Sequence, residues 1–363
     1  MRAHQDRGLI SGCSLRGAIT VLNSLLPLLA ALVSFLFAAL VLDQWRHRRH
    51  SFQLVWGLGL IWYGISSGTQ FAGAAFGWNA ALYRAWYLFG AILVAAYLGM
   101  GTFYLLSRTG FGYFAGFSIG LGGLFAYLSQ LTLIKQGHPT AWSNVIVVIV
   151  IAAVVGLAVI LATAWRRSMA AHVAMALLAT ATVVVALLTA SATLPEPGYA
   201  LDPQTHVPVG TAVPGYLRIL TGPFNIAGAL CLIFGALFSA YVYMPKRKLL
   251  RGGPSAPVMG QMYRALAVSV NLVASVPGGV RALLSGKLNS RVPATVLIAL
   301  GGFTSGLASG LERFGVTWAA ALGEFVGVLV IFVGFLISEE VFRRLPFGLG
   351  GTSAWGRAEP RSG

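Results

Sequence analysis

Eight polar side chains sit where chemistry is rare, in or at the mouths of long apolar runs: Ser66, Ser67, Gln70, Arg84, Arg218, Thr221, Asn225 and Glu324. A charge or amide in hydrocarbon is costly, and normally faces a bundle interior or a wet cavity. Ser66, Ser67 and Gln70 share one face of their run. Arg218, Thr221 and Asn225 follow one helical face at spacings of three and four, beside "TGPFN", where Pro223 loosens a helix. Glu324, in "LGEFVG", lies about six residues inside the last run, roughly 9 Å deep by helical rise. Asn23 falls near the end of the first run.

These residues predict a polar pocket in the outer half of a membrane bundle. Arg84 and Arg218 would offer charge-assisted hydrogen bonds to an anionic group, with Glu324 as counter-ion or proton-linked carboxylate. Gln70 and Asn225 would line the pocket, and Tyr83, Trp86 and Tyr87 would form an aromatic cage beside Arg84. A plainer reading competes with this one: both arginines snorkel to headgroups, and Glu324 pairs with one of them or with Arg313. Trp62, Trp78, Trp86, Trp142, Trp165 and Trp318 then form the usual interfacial belt.

Several chemistries find no residues. No Lys lies inside an apolar run, so none is placed for a Schiff base. The six His residues lie in loops or near run ends, with no metal- or haem-ligand spacing. There is no phosphate loop, no HExxH and no acidic cluster for Mg²⁺. No nucleophile can be paired with a base. The sequence therefore implies no catalytic residue, no metal and no cofactor, and argues against an enzyme.

The elements that must position these residues follow from composition. The chain of 363 residues is 57% hydrophobic and 9% charged. An ordinary soluble domain is about 45–50% apolar and about 25% charged. Apolar runs long enough to cross about 30 Å of hydrocarbon recur along the chain. The fold class is all-α, a polytopic transmembrane helix bundle. Nine spans are expected, at 18–42, 53–76, 80–106, 111–134, 144–165, 170–194, 217–244, 292–311 and 317–338.

With the first loop, "DQWRHRRHS", on the cytoplasmic side, 18 of the 25 Lys and Arg fall in inside segments. That asymmetry puts the N-terminus outside and the C-terminus in the cytoplasm. It also accounts for the net charge of +16 without a nucleic-acid partner. The bilayer of a cytoplasmic membrane is the first partner. Cys13 and Cys231 imply no disulfide framework.

The chain divides into a seven-span module at 1–244, a basic cytoplasmic linker at 245–291, a two-span hairpin at 292–341 and a disordered tail at 342–363. The linker carries eight positive and no negative charges. It suits anionic headgroups, with 257–276 read as an interfacial helix rather than a further span. The loop 195–216 holds five Pro residues and is a semi-rigid cover or a plain solvated loop. Glycines at spacings of four, Gly112, Gly116 and Gly120, Gly302, Gly306 and Gly310, and the pairs Gly64 and Gly68, Gly323 and Gly327, predict close helix crossings.

Across "YRAWYLFGAILVAAYLGMGTFYLL", "VLIALGGFTSGLASGLERFG" and "LGEFVGVLVIFVGFLISEE", the chain resembles a group of uncharacterised bacterial polytopic membrane proteins, a resemblance that implies no particular activity. The first seven spans also resemble, in architecture, the heptahelical input modules of bacterial signalling proteins. The residues and the resemblance together imply a ligand-binding sensory or accessory module that takes a small or lipid-like ligand and passes its state to a membrane partner protein. A secondary transporter of a small solute and a structural assembly partner are the alternatives.

Overall fold

The computed structural model describes residues 3–135, 137, 142–252, 257–285, 288–289, 291–313 and 316–337. The tail at 342–363, and the side chains of Asn23, Arg264, Arg313 and Trp318, lie outside the described residues. Helix is the dominant structure. It runs as α1 (Ala3–Arg48), α2 (Ser51–Phe76), α3 (Ala80–Trp86), a π-helical segment (Tyr87–Leu93) and α4 (Val94–Leu106). Then follow α5 (Gly112–Lys135), α6 (Trp142–Trp165), α7 (Arg167–Ser191), α8 (Gly215–Tyr243), α9 (Pro257–Leu284), α10 (Arg291–Arg313) and α11 (Trp318–Ile337). No strand is formed among the described residues.

Among the described residues, eight helical stretches are long and apolar enough to cross a membrane: Ser24–Arg48, Ala80–Thr109, α5, α6, α7, α8, Arg291–Glu312 and Ala319–Ile337. Without water, every backbone N–H and C=O must be satisfied within the segment, which makes helix the outcome for such runs. α6 shows the side-chain logic. Val145, Val148, Ala152, Gly156, Val159 and Thr163 are buried at spacings of three and four. Ile146, Val150, Val154, Leu157 and Leu161 are more than half exposed on another face. In water such a stripe would drive aggregation; in a bilayer it is the lipid contact.

α2 matches the expected run at 53–76 but is not among those eight. Its composition explains this: it carries five glycines, and its Gln53, Ser66, Ser67 and Gln70 are buried. α2 packs against α1, α3, the π segment and α4. A helix screened by neighbours needs little lipid-compatible surface. The shorter apolar stretch Leu266–Ala282 forms most of α9.

The described residues form two compact units, one within 1–235 with 301–329 and one within 236–300 with 330–363. In the first, close crossings are made by small residues. A Cβ on Gly228 of α8 would lie 2.2 Å from the Ala95 carbonyl oxygen of α4, and one on Gly99 would lie 2.4 Å from the Gly228 oxygen. Gly116 of α5 meets Gly156 of α6 in the same way, at 2.6 Å from its carbonyl. The predicted glycine stripes are therefore used only in part. Gly112, Gly116, Gly302, Gly323, Gly327 and Gly64 meet a neighbour, whereas Gly68, Gly120, Gly306 and Gly310 face open space. Spacing alone does not identify which face a partner covers.

The expected third span, 80–106, is one crossing with an interrupted ladder: α3 gives way to the π segment before α4 begins. At Gly90 an added Cβ would fall 2.2 Å from Ser66 Oγ, so α2 is pressed against the widened turn. π turns widen the backbone and recur at functional sites.

Candidate functional site: a carboxylate within the bundle

The first unit brings α2, α10 and α11 together around Glu324. Gln70 Nε2 donates to Glu324 Oε2 at 3.2 Å. The Tyr63 hydroxyl, two turns earlier on α2, donates to the main-chain oxygen of Glu324 at 2.7 Å and lies 3.5 Å from Ser305 Oγ. Tyr63, Ser66, Ser67 and Gln70 are all buried, at 7%, 5%, 1% and 6% exposure. Ser67 Oγ has no hydrogen-bond partner among the described residues. Gly323 and Gly327 flank the carboxylate, and added Cβ atoms there would fall 2.3 Å from Ala308 Cβ and 1.9 Å from Ser305 Oγ. These glycines let α10 approach α11 at the level of Glu324.

Glu324 has no cation within ion-pair distance among the described residues. The expected pairing with Arg84 is not formed. Arg84 Nη2 instead donates to the Ala192 carbonyl at 2.7 Å, at the C-cap of α7. A cation there is favoured by the unsatisfied carbonyls and the negative end of the helix dipole.

A second cluster gathers at the end of this unit that carries the 192–214 loop. The Tyr83 hydroxyl donates to the Val209 carbonyl. The Arg218 backbone N–H donates at 3.2 Å to the Pro214 carbonyl, at the end of the loop. Tyr83, Trp86 and Tyr87 are buried against one another, with ring centroids 5.4 Å and 5.9 Å apart in sequence, and Trp78 closes the group 6.5 Å from Trp86. These rings pack directly against one another. Their burial separates them from Trp142 and Trp165, which are 46% and 87% exposed.

The loop is ordered. Asp202 Oδ1 accepts from the backbone N–H groups of Gln204 and Thr205 and from the Thr205 hydroxyl, at 3.0, 2.8 and 2.8 Å. The Thr205 and Thr317 hydroxyls meet at 2.9 Å, tying the loop to the start of α11. Burial alone would raise the Asp202 carboxyl, but hydrogen bonds from Thr205, Gln204 and Thr317 outweigh it and hold the group below its ordinary value.

Asn225 has a separate task. Its Nδ2 donates at 2.7 Å to the Ala91 carbonyl, inside the π segment. The predicted site residues thus divide three ways: Gln70 joins Glu324; Arg84, Trp86, Tyr87 and Arg218 belong to the cluster beneath the loop; Asn225 braces the π turn. Sequence reasoning missed Tyr63 and Ser305. The seven-residue spacing from Tyr63 to Gln70 places both on one face of α2 and was the available signal for the former.

The arrangement can hold a proton, or a cationic or hydroxyl-bearing group, against Glu324. Among the described residues no group of three His, Cys, Asp or Glu side chains is placed to hold a metal ion. Fold and site together define a helical bundle suited to a membrane, with a polar centre. Comparison with protein-family models, curated proteins and solved structures gives no match.

Proposed function

We propose that this chain is a multi-pass protein of the cytoplasmic membrane, with α2 as a ninth span, its N-terminus outside and its C-terminus in the cytoplasm, that works as a ligand-binding sensory or accessory module. The observation that carries the reading is a half-buried carboxylate held by an amide and, among the described residues, by no cation. Such a group in hydrocarbon is costly and marks a functional site by default. Its ligand is a small or lipid-like molecule that presents a cationic or hydroxyl group to Glu324. The Tyr63 bond to the Glu324 main chain couples α2 to α11, a route by which occupancy reaches a membrane partner protein. The loop at 192–214 would cover the outer face, and the kinship would be with the bacterial polytopic proteins that the sequence resembles.

Mass spectrometry of molecules retained by the chain purified from native membranes tests this. A species bound to wild type and lost from Glu324→Gln and Gln70→Leu supports the reading. Identical contents in all three, with folding intact by circular dichroism, would sink it.

One observation favours transport as a second reading. The π segment, braced by Asn225 two residues from Pro223, is a helix interruption of the kind that transporters place at substrate sites. Proton-coupled solute uptake into proteoliposomes that disappears in Glu324→Gln would select it. A binding module moves no solute.

A further inference from the structure

The second unit contains a built cleft that is independent of Glu324. After α8 the chain Met244–Gly252 folds back on α9 instead of leaving as a free linker. Asn271, 5% exposed on α9, is spent on holding it: Oδ1 accepts from the N–H groups of Leu249 and Leu250 at 2.7 and 3.0 Å, and Nδ2 donates to the Leu250 carbonyl at 3.1 Å. One turn on, the fully buried Ser275 hydroxyl accepts from the Arg247 N–H at 2.9 Å. The Tyr263 hydroxyl donates to the Arg251 carbonyl at 3.3 Å. The result is a cleft of about 600 Å³ lined by Lys248, Leu250, Arg251, Gly252 and Asn271. Gly252, at φ +77°, turns the backbone at its rim in a conformation that favours glycine.

Orientation during insertion requires basic residues on one side of the membrane but no fixed shape for them. Here a buried amide and a buried hydroxyl fix the loop that carries Lys246, Arg247, Lys248 and Arg251, and 245–291 contains no Asp or Glu to neutralise them. The exposed apolar residues of α9, Leu266, Val273, Val276, Val280 and Leu284, lie on the face opposite Asn271 and Ser275. The loop side of α9 is therefore the polar one.

We propose that this cleft binds a phosphate-bearing anion, with Lys248 and Arg251 as the charged donors and Asn271 as the residue that positions them. Arg supplies planar paired donors and Lys a point charge, the combination suited to phosphoryl oxygens. The phosphoryl group belongs either to a soluble molecule or to an anionic lipid headgroup, and the chemistry of recognition is shared.

The test uses the full chain in nanodiscs and the variant Lys248→Ala/Leu249→Lys, which keeps net charge and alters only exposed positions. Inorganic pyrophosphate is titrated into phosphatidylcholine nanodiscs by calorimetry. Separately, lipid retained from nanodiscs doped with phosphatidic acid is counted by native mass spectrometry. Saturable pyrophosphate binding, weakened about tenfold or more in the variant, assigns the cleft to a soluble anion. Retained phosphatidic acid that the variant loses, without pyrophosphate binding, assigns it to a headgroup. Equal binding by wild type and variant, or saturable binding of neither probe, overturns the proposal. Asn271→Ala should weaken binding with both cations still present, an effect that diffuse attraction to net charge does not produce.

Discussion

Replacing Asn225 by Leu isolates the brace on the π turn. The substitution keeps most of the side-chain volume and removes the donor that lies 2.7 Å from the Ala91 carbonyl. A side-chain hydrogen bond contributes about 1 kcal/mol net, and an acceptor left buried without its partner costs about 1–3 kcal/mol. Measured values inside membrane bundles are smaller, averaging about 0.6 and reaching about 1.7 kcal/mol. The Ala91 carbonyl belongs to a turn whose ordinary ladder is already widened, and hydrocarbon offers no water as a substitute donor. The upper part of that range applies, about 1.5 kcal/mol, or roughly a tenfold shift in the unfolding equilibrium. Reversible unfolding in mixed detergent micelles, followed by tryptophan fluorescence, measures it. Thr132→Leu, at an exposed residue bonded only to its own helix, is the control and should stay within about 0.5 kcal/mol of wild type. If Asn225→Leu also stays within that margin, Asn225 does not brace the turn.

Three other outcomes follow from the packing. Gly228→Ala places a methyl 2.2 Å from the Ala95 carbonyl oxygen, with backbone and no flexible side chain in the way, and should destabilise by about 1–3 kcal/mol; Gly68→Ala meets nothing within 4 Å and should be neutral or stabilising by about 0.5–1 kcal/mol, both read in the same unfolding assay. Arg84→Leu frees the C-terminal carbonyl of α7, so protease cleavage in the 192–214 loop should rise while retention of any molecule lost from Glu324→Gln stays unchanged. The lowered Asp202 carboxyl makes its contribution to loop order complete above about pH 4 and lost as pH falls through its depressed folded value. The ratio of pepsin cleavage in Asp202→Asn to that in wild type, taken at each pH, should therefore be well above one near pH 5 and fall toward one on acidification.

Helix positions were legible because a lipid solvent leaves the backbone one answer: the runs 53–76, 144–165 and 217–244 return as Ser51–Phe76, Trp142–Trp165 and Gly215–Tyr243. The π segment was not, since nothing in "YLFGAIL" sets it apart from α-helix; it rests on a tertiary contact at Ser66 and a tertiary bond from Asn225. Gln70 and Glu324 could each be singled out by the cost of a polar group in hydrocarbon, but their pairing could not, because it depends on how α2 and α11 are rotated. The same freedom misdirected Arg84, whose partner is a helix-end carbonyl that any residue at position 192 would supply. Tyr63 escaped notice because a tyrosine in an apolar helix reads as core until its hydroxyl is seen to have an acceptor.

The proposed function stands or falls on whether the Glu324 carboxylate, held by the Gln70 amide, receives a ligand. A density map of the full chain in nanodiscs prepared directly from native membranes tests it most directly. The expected result is a bound molecule within hydrogen-bond distance of Glu324 that is missing from the map of Glu324→Gln. A Glu324 packed against Gln70 with no added density, and the same map for both proteins, would contradict it.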